Sequence, residues 1–85
     1  MSQPLNEEET TSLWEKSRAH GLAGEFELCL EATNTLRSSL VEGAAPPKFF
    51  KENSTIRNDD LLRTIAIKGC DDNIAALRKR LGVDN

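Results

Sequence analysis

Residues 22–41, LAGEFELCLEATNTLRSSLV, decide how this chain is read. The stretch contains no proline, and its single glycine, Gly24, falls in what would be the first turn. Leu22, Phe26, Cys29, Thr33, Leu36 and Leu40 alternate at spacings of four and three, which places them in one seam along a helix. Ala23 and Leu30 widen that seam on one flank. Gly43 follows as a residue able to take the left-handed conformation that ends a helix. A helix over 22–42 would be ~30 Å long, about the full width of a domain of this size. The expected fold is therefore all-α, a small domain of three to four helices built around this long central one. A single domain over 1–85 is expected, with a polar tail at 1–5 and a proline-containing connection at 43–57.

Upstream, Asn6 and Glu9 have the spacing of a capping box, and Glu7, Glu8 and Glu9 suit the positive end of a helix dipole. A first helix is predicted from Asn6 to about His20, stopping at Gly21. Its apolar content is thin, consisting of Leu13, Trp14 and Ala19.

Downstream, Pro46-Pro47 predicts an extended connection, with Phe49-Phe50 between Lys48 and Lys51 as the plug of a helical core or a docking segment for a partner. Asn58-Asp59-Asp60 reads as a cap and acidic first turn, followed by Leu61, Leu62, Ile65 and Ala66 and closed by Gly69. Residues 64–67 would also suit a short strand. A fourth helix is predicted from Asp71 or Asp72, with Ile74, Leu77 and Leu81 as its stripe. Arg78, Lys79 and Arg80 sit in its last turn, and Gly82-Val83 ends it, with Val83 folding back on Leu77.

Composition narrows the function. Leu, Ile, Val and Phe make up 20 of the 85 residues, enough to favour a folded domain over disorder. The net charge is −3, with the acidic excess in residues 1–42 and a basic excess in 43–85. Two cysteines without C-x-x-C spacing predict reduced thiols. A polar N-terminal segment and the absence of any long apolar run predict a cytoplasmic protein without a membrane span. Asn53-Ser54-Thr55 matches a glycosylation acceptor by chance on that reading.

No catalytic residue, cofactor-binding residue or metal ligand is expected. His20, the single histidine, falls where a helix C-terminal group would serve as a cap. Cys29 lies in the seam, and Cys70 is expected in a turn beside Asp71 and Asp72, whose charge would blunt it as a nucleophile. The five glycines are scattered and form no phosphate loop. Asp71-Asp72-Asn73 and Asn58-Asp59-Asp60 do not continue as calcium loops, and zinc spacing is missing.

The favoured function is that of a small, non-enzymatic regulator or adaptor acting by protein–protein contact. Its interaction surface would comprise Leu22, Phe26, Leu36, Leu40, Phe49 and Phe50. The first helix is poor in apolar residues and the third and fourth are ~15 Å each, so cover for the seam is expected from another protein or a second copy of this chain. The alternative is a DNA-binding regulator with a degenerate helix-turn-helix in 61–82. Arg78, Lys79 and Arg80 would be its nucleic-acid contacts, although base-reading residues usually cluster at the start of the second helix, here Asp71-Asp72.

Overall fold

A computed structural model describes residues 4–82. The fold is all-α, with four helices: α1 (Glu7–Leu22), α2 (Phe26–Val41), the short α3 (Lys48–Glu52) and α4 (Asp59–Leu81). α2 is the central element, packed on one side by α1 and on the other by α4, while α3 touches both outer helices. Ser17 meets Thr33 and Leu5 meets Ala45, so α1 and α2 run antiparallel. Arg37 meets Asp71 and Phe26 meets Arg80, so α2 and α4 do as well. α1 and α4 consequently point the same way.

Local chemistry sets most of the helix ends. The Asn6 side chain accepts from the Glu9 amide at 2.8 Å, and the Glu9 carboxylate accepts from the Asn6 amide at 3.0 Å, closing the predicted capping box. Asn58 caps α4 in the same sense, accepting from the Leu61 amide. α1 does not stop at Gly21, however. It continues to Leu22, and Gly24 takes the left-handed turn at φ +78°. The Glu25 amide bonds the His20 carbonyl and the Gly24 amide bonds that of Gly21, the pair of bonds that defines a Schellman ending. Gly43 ends α2 identically, through Ala44 to Ser39 and Gly43 to Leu40. The predicted central helix is thus shortened at its start, and Leu22 belongs to α1.

The C-terminal third departs further from expectation. Asp59 to Leu81 is one unbroken helix of 23 residues, ~35 Å long against a longest molecular dimension of 36 Å. Gly69 lies inside it and closes nothing, and Asp71 and Asp72 are mid-helix residues instead of caps. The segment 64–67 is helical, not a strand. Because no turn interrupts 61–82, the two-helix layout of a helix-turn-helix is not formed there. Gly82 does cap the helix, at φ +73°, whereas the expected contact of Val83 lies outside the described residues.

The seam of α2 is covered from within the chain. Leu36 and Leu40 are fully buried in one cluster with Ala66 and Cys70 of α4, against which Leu13 and Trp14 of α1 pack, and Cys29 and Thr33 are buried as well. Leu36 and Leu40 therefore form core and not an interaction surface, which corrects their assignment from the seam alone. The unbroken α4 supplies the length of apolar cover that two short helices would barely have provided.

The α1 and α2 helices bury small polar groups in place of bulky apolar ones. Thr10, Ser17 and Thr33 are buried, yet each hydroxyl is bonded. Thr33 donates its one hydroxyl proton to the Cys29 carbonyl at 2.7 Å, so the 2.7 Å contact with Ser17 requires Ser17 to be the donor. The Cys29 thiol, 3.6 Å from the Ser17 oxygen, can then donate to it, closing a ring of three bonds between α1 and α2.

Three outcomes test this packing. Leu36→Glu would bury a carboxylate with no partner, at a cost of several kcal/mol, on the order of the whole ~5–15 kcal/mol margin of a domain. Thermal denaturation should find it unfolded or severely destabilised, not a folded monomer released from an oligomer. Gly69→Ala should stabilise by ~0.5–1 kcal/mol, because its backbone is helical and the added Cβ meets only the Phe50 ring at 3.7 Å. Gly24→Ala, forced to a positive φ, should instead cost about 1 kcal/mol.

Candidate functional site

Three connections bring α3 to the gap between the outer helices. The Ala45 amide bonds the Leu5 carbonyl, Pro46 and Pro47 are buried, and the Lys48 amide donates to the Thr11 hydroxyl at 2.9 Å. On the other side, the Arg63 guanidinium donates to the Ala44 carbonyl at 2.7 Å. The predicted extended connection therefore contains a helical turn, with Phe49 and Phe50 held in place. Trp14, Phe49 and Phe50 form a mutual cluster with ring centroids 4.9–5.2 Å apart. Phe50 lies edge-on to Trp14 and rests over Gly69. Phe50 packs against the core, while Phe49 stays partly open to solvent. The Trp14 indole N–H is buried in this cluster without a hydrogen-bond partner among the described residues.

The aromatic plug fills only part of the gap. No Cα atom of α1 comes within 8 Å of one in α4 among the described residues, and a furrow runs between the two helices above α2. On α1, Trp14, Arg18 and Leu22 follow one another at helical spacing; on α4, Gly69, Asn73, Ala76 or Leu77, and Arg80 do the same. α3 occupies the Trp14–Gly69 half. The other half is an open groove of about 310 Å³, walled by Arg18 and Leu22 on α1 and by Ala76, Leu77 and Arg80 on α4. Phe26 and Cys29 of α2 form its floor. Leu22 is 86 % exposed at its rim.

Arg18 and Arg80 are the charged residues lining the groove, and no acidic side chain joins them. Arg18 lies 5.8 Å from the centroid of Phe49, and Arg80 lies 4.9 Å from that of Phe26. Each guanidinium is steadied by an aromatic face and forms no ion pair among the described residues.

Of the six residues expected in an interaction surface, the furrow gathers four. Leu22 and Phe26 line its open half, and Phe49 and Phe50 fill the other. Arg18, Ala76 and Leu77 were missed by sequence reasoning. The i, i+4, i+8 relation of Trp14, Arg18 and Leu22 was legible, but nothing in the sequence paired it with α4. The three basic residues expected as nucleic-acid contacts are exposed in the last turn of α4, where only Arg80 faces the groove.

His20, Asp71 and Asp72 have structural partners. His20 Nδ1 lies 2.9 Å from the Glu25 carboxylate across the α1–α2 turn. Asp71 is paired with Arg37, and Asp72 lies 3.8 Å from Lys68. Among the described residues, no three His, Cys, Asp or Glu side chains gather where they could hold a metal ion, and no helix is long and apolar enough to cross a membrane. Both cysteines are free and buried. Cys70 lies inside α4 and not in a turn; burial, then the neighbouring Asp71 charge, push its thiol up to about 11, with Arg37 opposing them.

That shift has a measurable consequence. The folded state holds the Cys70 proton more tightly than the unfolded chain, whose thiol has the ordinary value of 9.0. Its contribution to stability is complete below pH 9 and is lost as pH rises towards about 11. The chain has no tyrosine, so thiolate ultraviolet absorbance can be followed without phenolate overlap. Cys70→Ala should remove the thiolate step near pH 11.

No protein-family model matches this chain, and no curated protein or solved structure shows significant similarity to it.

Proposed function

We propose that this protein is a small, non-enzymatic adaptor or regulator that binds a segment of another protein in the open half of the α1–α4 furrow. The observation that carries this reading is the half-filled furrow itself. One half is sealed by the aromatic pair of α3, while the adjoining half leaves Leu22 and Phe26 available beneath two arginines. Apolar surface rimmed by charge is the usual character of a protein-docking site. Aromatic and arginine side chains also carry a large share of binding energy at such sites. A cytoplasmic setting belongs to the same proposal and agrees with two unpaired thiols.

The groove can be blocked without touching the core, because Ala76 is an exposed residue of its α4 wall. Ala76→Trp should preserve the helical circular dichroism spectrum while occupying the groove. Parallel affinity purifications from the native host, using wild type and Ala76→Trp, are the test. Partners retained by the wild type and lost by the variant are the expected result. Partners recovered equally with both would reject the groove as the docking site.

A further inference from the structure

We infer that the groove selects a short acidic amphipathic helix, about two turns long, from the partner protein; this rests on the docking reading above. The length follows from the walls. Asn73 to Arg80 spans about 10 Å at 1.5 Å per residue, the rise of roughly seven helical residues. The helical form follows from the occupant already present in the same furrow. α3 is a five-residue helix that inserts an aromatic side chain between α1 and α4 at Trp14 and Gly69. The open half continues the same faces of the same two helices, so a second apolar helical turn fits the space that follows.

The charge follows from a change of sign along the furrow. At the filled end, a basic side chain of the occupant faces an acidic one of α1: Lys51 of α3 lies 3.8 Å from Glu7. At the open end the walls are basic, with Arg18 on one side and Arg80 on the other, and no carboxylate lines the groove. Their guanidiniums rest near Phe49 and Phe26, which leaves N–H edges for a carboxylate. A neutral helix would cover the apolar floor but leave both arginines without counter-charges. A basic helix would set like charges against them. A helix with a leucine or phenylalanine facing Phe26 and Cys29, and glutamates on either flank, satisfies both the floor and the walls.

The test uses three fluorescein-labelled helical peptides that share one apolar face and differ only in flanks of glutamate, glutamine or lysine. Binding to the full chain is followed by polarisation at low and at physiological salt. The glutamate peptide should bind about ten-fold more tightly than the lysine peptide, and the gap should narrow as salt is added. Arg18→Glu combined with Arg80→Glu should invert the order, with circular dichroism verifying the fold. Arg18→Lys with Arg80→Lys should keep the order but reduce the preference, since lysine lacks the planar fork. Failure of all three peptides to bind at millimolar concentration would overturn the inference. So would equal binding by all three; if Ala76→Trp then abolished that binding, the docking groove would stand and only its charge selection would fall. Binding that Ala76→Trp leaves unchanged would remove the groove reading as well.

Discussion

α1 meets α2 through Ser17 and Gly21 on one side and Cys29 and Thr33 on the other, and these small groups govern the layout of the whole domain. Small side chains let two helices approach closely, and a Cβ on Gly21 would already touch the Cys29 sulfur at 3.5 Å. Hydroxyls buried at such a contact are tolerable only when bonded, and the Ser17–Thr33–Cys29 ring bonds them across the interface. A contact of this kind gives register and closeness but little apolar bulk. Trp14 is the one large side chain α1 directs inward, beside Leu13. The space between α1 and α4 cannot be filled from α1 itself.

The rest of the fold responds to that shortage. The chain leaves α2 at Gly43, passes two buried prolines, and brings Phe49 and Phe50 into the gap beside Trp14. Arg63 anchors the start of this crossing from α4, and Thr11 anchors its end from α1. Five residues of helix cover one half of the furrow and no more. The groove beside it is thus a direct result of how little the α1 surface fills, and its exposed Leu22 follows from α1 running one residue beyond Gly21 before the turn at Gly24.

Charge is distributed to suit the same arrangement. Glu7, Glu8 and Glu9 lie at the positive end of α1, and Arg78, Lys79 and Arg80 lie at the negative end of α4. Because α1 and α4 run in the same direction, these clusters fall at opposite ends of the furrow. Each cluster is explained locally as dipole complement, yet their joint placement gives the furrow a polarity along its length.

The sequence alone determined the helical class, the central position of the second helix, and several caps. Asn6, Asn58, Gly43 and Gly82 are legible because capping depends on a few adjacent residues and their backbone conformations. The buried seam from Cys29 to Leu40 was legible because 3.6-residue periodicity is a property of one helix. Tertiary structure decided the remainder. Gly21 and Gly69 have the same local appearance as the glycines that end helices, but each is a contact point for a neighbour, Cys29 or Phe50, and remains helical. The cover of Leu36 and Leu40 could not be read as intramolecular until α4 was seen to be continuous. The groove was invisible for the same reason. Arg18 and Arg80 lie 62 positions apart in the chain, and only the packing of both outer helices on α2 brings them to one opening.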